Sequence, residues 1–108
     1  MANLIAALNA NSIVLANAAS NVANLNTQDY KSIRTTIVQG SNGNPSAVTQ
    51  RTTTQGTPID EEYETSNVDL PQEYGDMILS QRGYEAALSA IEAREEMLKD
   101  LMDVFVDR

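Results

Sequence analysis

The sequence predicts a mainly α-helical fold, in which an antiparallel, coiled-coil-like pair of terminal helices encloses a small, partly flexible β-hairpin or loop excursion. Apolar residues recur in steps of three and four near both ends of the chain, which is the spacing that lines one side of a helix. The segment between them is rich in Thr, Gln, Gly, Asn and Pro. With one Phe and no Trp among 108 residues, the core has to be built from aliphatic side chains.

The N-terminal helix is predicted over residues 3 to about 26. Its stripe consists of Leu4, Leu8, Asn11, Leu15, Ala18, Val22 and Leu25. Six Asn residues lie between positions 3 and 24, and each weakens a helix by about 0.5 kcal/mol relative to Ala. The segment also lacks the charged side chains that form stabilising pairs one turn apart. We therefore expect this helix to need a partner helix.

The middle segment alternates β-branched and polar residues, which indicates two short strands. Ile33, Thr35 and Ile37 suggest the first strand, and residues 47–54 suggest the second. Turn-forming residues fill positions 40–45 between them. Because an isolated hairpin is marginally stable, we expect it to be flexible until something packs on it.

The C-terminal helix is predicted from about residue 69 to 106, with Asp69 as its N-cap and Pro71 in its first turn. Its stripe consists of Leu70, Tyr74, Met77, Gln81, Tyr84, Leu88, Ile91, Glu95, Leu98, Met102 and Phe105. This helix is longer than the N-terminal one, so part of its stripe lacks an intrachain partner. Exposed apolar surface of this kind favours association with another chain. The chain is read as one domain, 1–108, made of a helix and turn (1–30), a hairpin and linker (31–66) and a helix (67–108).

Composition argues against several functions. The chain has no Cys and no His, which disfavours thiolate or imidazole metal sites and hydrolytic triads. The net charge of −8 disfavours nucleic-acid binding. No apolar run is long enough for membrane insertion, and the N-terminus does not resemble a cleaved signal peptide. We expect no catalysis, no cofactor, no metal and no small-molecule substrate.

Two motifs resemble signatures of the bacterial flagellar axial proteins, which are the rod, hook and hook-associated proteins. Residues 15–31 resemble A-N-N-[LI]-A-N-V-N-T-P-G-Y-K, with Gln28 and Asp29 in place of the usual Pro-Gly. Residues 66–86 resemble S-N-V-D-L…E-M…Q-R-A-Y-E-A-N, with Ala87 where Asn is usual. The matched positions of the first motif are Asn21, Ala23, Asn24, Asn26, Thr27, Tyr30 and Lys31.

The resemblance implies a structural subunit of the flagellar basal-body rod, most like a short proximal rod protein. It implies self-assembly into a tubular structure, with copies of itself, other rod proteins and the flagellar export apparatus as partners. It also implies export to a periplasmic location without signal cleavage. The residues expected to carry packing and interaction are Leu8, Leu15, Val22, Asn21, Asn24, Asn26, Thr27, Tyr30, Tyr84, Leu88, Ile91 and Leu98.

Two other functions remain open at this point. The small size and acidic composition also suit a helical export chaperone or adaptor that binds a client protein. Such a chaperone would be a stable dimer, whereas a rod subunit would be loosely folded alone and would polymerise. A small hydrolase that uses Asp and Glu is the third possibility.

Overall fold

The computed structural model describes residues 2–40, 42–59 and 63–106. Residues 1, 107 and 108 of the predicted terminal segments lie outside this part. Four elements follow in chain order: α1 (Ala2–Ala23), β1 (Ile33–Gln39), β2 (Pro45–Arg51) and α2 (Leu70–Val106). The predicted fold class, two helices with a small antiparallel hairpin between them, is confirmed.

Helix α1 ends three residues earlier than predicted because its last polar residues turn the chain. The side chain of Asn24 donates to the carbonyl of Ser20. The following amides bond three residues back, Leu25 to Val22 and Thr27 to Asn24. These are tighter than α-helical bonds and close the last turn.

The two strands pair antiparallel, with Ile33 opposite Arg51 and Gln39 opposite Pro45. The turn between them requires Gly43, whose φ of 82° lies in the left-handed region. Strand β2 begins earlier and ends earlier than the predicted 47–54. Beyond β2 the amide of Thr52 still donates to the Ser32 carbonyl, while its hydroxyl and the Thr54 carbonyl accept hydrogen bonds from the side chain of Asn67.

The helices run antiparallel and side by side. Asn21 meets Glu73, and Asn11 lies against Gly83. The same register puts Leu4 beside Ala90, so the end of α2 runs beyond α1 from about residue 93. Both strands lie against α1, where the Asn17 side chain donates to the hydroxyls of Thr35 and Thr49.

The contact between the helices uses smaller and more polar residues than the predicted stripes. In α2 the buried residues are Glu73, Ser80 and Ala87, each one position before a predicted stripe residue. In α1 they are Ala10, Ala18 and Asn21. An apolar pattern selects Tyr74 and Leu88, yet these are exposed. Polar Glu73 and Ser80 occupy the inner positions, and a pattern based on hydrophobicity cannot identify them.

Two glycines of α2 give a test of this close approach. A Cβ on Gly75 meets nothing within 4 Å, so Gly75→Ala should raise the free energy of unfolding by about 0.5–1 kcal/mol. A Cβ on Gly83 would lie 2.6 Å from Oδ1 of Asn11, so Gly83→Ala should lower it. Urea unfolding of both variants measures the difference.

The double variant Gly83→Ala, Asn11→Ala separates crowding from any other effect at this position. It should recover the stability that Gly83→Ala alone removes, because the crowding side chain is gone. Equal stabilisation by Gly75→Ala and Gly83→Ala would show that the helices are not in close contact at this point.

Candidate functional site

The side chain of Asn21 joins four parts of the chain at a buried junction. Its Oδ1 accepts hydrogen bonds from the amide of Ile33 at 2.8 Å and from the Tyr30 hydroxyl at 3.0 Å. Its Nδ2 donates to the carbonyl of Ile33 at 2.8 Å and to Oε2 of Glu73 at 3.0 Å. An amide side chain has two donors and two acceptor positions, so Asn21 uses its whole capacity.

Glu73 is the acidic member of this junction and only 1% exposed. Its Oε2 is bonded to Asn21, whereas Oε1 has no hydrogen-bond partner. Nη2 of Arg34 lies 3.9 Å from Oε1, and Nη1 of Arg34 donates to Asp76 at 3.1 Å. Arg34 thus supplies the countercharge that a buried carboxylate requires, and it links β1 to α2.

The turn after α1 is held by short-range bonds from the first motif. The Thr27 hydroxyl donates to Oδ1 of Asn24 at 3.0 Å, and the Tyr30 amide bonds the Thr27 carbonyl. Asn26 is exposed, and its side chain makes no hydrogen bond to any part of the chain that the structure describes. Asn24 and Thr27 therefore shape the turn, while any role of Asn26 stays a prediction.

Asp29 occupies the position where the resembled motif carries Gly, and its φ is 61°. Its backbone amide donates to the Glu64 carbonyl at 2.8 Å, and its Oδ1 accepts from the Glu64 amide at 2.9 Å. Glu64 also forms an ion pair with Lys31. Asp tolerates the left-handed backbone better than most residues because its short side chain bonds locally. The turn is thus kept without glycine.

Substitutions of Asp29 can separate the strain from the hydrogen bond. Asp29→Gly relieves the left-handed strain but loses the bond to the Glu64 amide, so stability should change by less than about 0.5 kcal/mol. Asp29→Ala loses the bond and keeps the strain, so it should destabilise by about 1–2 kcal/mol. Thermal unfolding of both variants compares them; equal losses would mean that the backbone conformation is not the constraint.

The second motif meets the first at this junction. Oδ1 of Asn67 accepts from the Ser32 amide at 2.6 Å, and its Nδ2 donates to Thr52 and Thr54. The Asn67 amide bonds the Tyr30 carbonyl. Asp69 caps α2 through the Gln72 amide at 3.4 Å, as its sequence position predicts. Sequence reasoning assigned no role to Asn67, Glu73 or Arg34, although Asn67 lies within a quoted motif.

The predicted packing residues divide into two groups. Leu8, Leu15, Val22 and Ile91 are half-buried in the helix pair. Tyr84 and Leu88 are partly exposed, and Leu98 is 52% exposed. The burial of the first group is compatible with packing within the chain, whereas packing by the second group requires a neighbour; both roles stay predictions.

The end of α2 carries apolar residues that stay largely exposed in the described part of the chain. We call Leu98, Leu101, Met102 and Phe105 the distal face; each is more than half exposed. The distal face continues the side of α2 that contacts α1 in the preceding turns. Most charged residues of these turns lie on the opposite side of the helix, namely Glu92, Glu96, Lys99, Asp100 and Asp103, whereas Arg94 and Glu95 precede the distal face on its own side. Such segregation is typical of a helix that packs against another surface.

The described part of the chain offers little for other kinds of chemistry. No group of three or more Asp or Glu residues in it could hold a metal ion. Neither of its helices has both the length and the hydropathy to cross a membrane.

Comparison with known proteins finds a family similar to the C-terminal part of the chain. Residues 62–104 match the family model described as Flagellar basal body rod FlgEFG protein C-terminal. The match covers 43 of the 108 residues, including most of α2. The matched segment contains Asn67, Glu73 and most of the distal face. A comparison with curated proteins finds no match. The match supports a structural role at the flagellar basal body.

Proposed function

We propose that this chain is a non-enzymatic structural subunit of the basal-body rod, which assembles through α2 with copies of itself and with other rod proteins. The observation that carries the proposal is the distal face, which presents four large apolar residues without an intrachain partner. Burying each such side chain contributes roughly 1.5–3 kcal/mol. A contact between this face and a different surface of the next subunit can repeat along an open helix, as a tubular filament requires, when its rotation does not close a ring.

The junction around Asn21 and the distal face have different roles in this proposal: the junction stabilises the fold, and the distal face binds neighbours. The junction joins α1, the loop, β1 and α2 through buried hydrogen bonds, so the two motifs stabilise one body. The distal end of α2 lies outside that body and is available to neighbours. We propose accordingly that residues 1–108 act as a single axial domain, exported by the flagellar apparatus to a periplasmic rod without signal cleavage.

Deletion of the coding sequence tests the proposal in the cell. Electron microscopy of the deletion strain should show inner-membrane rings without a rod or hook, and motility should return with the wild-type chain supplied from a plasmid. A complete hook and basal body in the deletion strain would contradict the proposal.

The family match favours this function over the export chaperone. Sedimentation of the purified chain separates the two, since a rod subunit should pass from monomer to large assemblies as concentration rises. A stable dimer that binds one client protein would support the chaperone.

A further inference from the structure

A groove runs between β1 and α2, with α1 as its floor. Its volume is about 320 Å³. Asn11 and Val14 of α1 form the floor, and Thr35 and Ile37 of β1 form one wall. The opposite wall is α2, where Leu79 is 70% exposed. The backbones of the two strands do not approach that of α2, so the groove separates them.

The wall formed by β1 is an open strand edge. At Ile33 the backbone N–H and C=O point away from β2, where both bond the side-chain amide of Asn21 as they would bond a neighbouring strand. At the two ends of the ladder the Thr52 amide donates to the Ser32 carbonyl and the Gly40 amide donates to the Asn44 carbonyl. The backbone N–H and C=O groups of even-numbered β1 residues therefore point toward β2. Those of odd-numbered residues point away from β2, toward the groove.

The backbone groups of Thr35 and Ile37 follow Ile33 along this edge. No side chain in the described ranges bonds them, in contrast to Ile33. Natural proteins usually protect open edges with charges, prolines or bulges. Residues 35–50 include no charged residue, so the edge carries none of the usual charged protection.

The open backbone edge of β1 selects one occupant. A helix bonds its own backbone groups internally, so it cannot pair with the N–H and C=O groups of this edge. A single extended segment fits, because its backbone can pair with β1 while alternate side chains contact Val14 and Leu79.

We propose that the outer edge of β1 binds one extended, uncharged strand of another polypeptide by strand addition. Asp76 lines the groove, and its ion pair with Arg34 supplies its countercharge, so the occupant needs no charge of its own there. The proposal is independent of the rod function and of the distal face, and its test uses neither.

The test uses the full chain and a synthetic peptide. The peptide is Ser46–Gln50, acetylated and amidated, because this sequence already pairs with the inner edge of β1. Nuclear magnetic resonance titration should give saturable shifts at the amides of Thr35 and Ile37 and at the methyl groups of Leu79, with slower amide exchange at Thr35 and Ile37. A peptide with Pro in place of Val48 should bind at least tenfold more weakly.

Two proline variants are matched controls. Thr35 and Thr49 face each other across the hairpin, and both hydroxyls accept from Asn17. Both variants lose that contact and an outward N–H, but only Thr35 borders the groove. Thr35→Pro should weaken peptide binding at least tenfold, and Thr49→Pro should leave it unchanged. Equal weakening in both variants, shifts confined to β2, or no saturable binding to the wild-type chain would overturn the proposal.

Discussion

Asn21→Ala should destabilise the chain by about 3–5 kcal/mol. The substitution removes four hydrogen bonds and leaves the N–H and C=O of Ile33 without a partner. It also leaves the buried Glu73 carboxylate without its hydrogen-bond donor. Removing one partner of a buried charged group is among the most damaging single changes, because the other group stays desolvated. Since small domains are stable by only about 5–15 kcal/mol, the loss would be a large part of the total.

Asn24→Ala is the matched control. Asn24 belongs to the same motif and is the same residue type, yet it is only half-buried and bonds within its own turn. Its loss should amount to about 1 kcal/mol or less. Chemical unfolding followed by circular dichroism measures both variants, and similar losses would contradict the central position of Asn21.

A double variant tests whether the lost stability of Asn21→Ala arises from the buried Glu73 carboxylate. Asn21→Ala with Glu73→Leu removes the stranded charge together with its donor, so the double variant should be more stable than the sum of the single losses predicts. Strict additivity would show that the two side chains are not coupled.

Periodicity predicted the elements better than it predicted the contacts between them. The bounds of α2 follow from its long apolar repeat and from Asp69, and the hairpin follows from alternation and turn residues. In one row of the predicted stripe of α2, each residue follows the buried residue by one position. Hydrophobicity marks Tyr74 and Leu88, whereas the close approach depends on Glu73, Ser80 and Ala87, which are polar or small.

The polar junction shows why sequence alone reaches only part of the site. Asn21 and Tyr30 lie in a motif, so they could be selected, but their roles depend on partners far along the chain. Glu73 is 52 residues from Asn21, and Asn67 is 35 residues from Ser32. Local rules cannot pair such residues, because any solvent-exposed Asn or Glu has the same local pattern.

Leu98→Asp with Met102→Asp should abolish assembly and leave the isolated chain equally stable. Both side chains are more than half exposed and have no partner in α1, so the monomer should change by no more than about 0.5 kcal/mol. In an assembly the same positions would place two carboxylates in an apolar contact. The lost burial and the desolvation of the charges together exceed about 3 kcal/mol, which weakens association more than about 100-fold.

Ser89→Asp with Ala93→Asp is the matched control for the distal face. It adds the same two charges to exposed positions of the same helix, on the side away from the distal face. Sedimentation velocity over a range of concentrations should show assembly for the wild-type chain and this control, and monomer for the distal-face variant. Swimming assays of complemented deletion strains should follow the same order. If both double variants assembled and swam alike, the distal face would not be the assembly surface. Its exposed apolar residues would then have to contact a different partner.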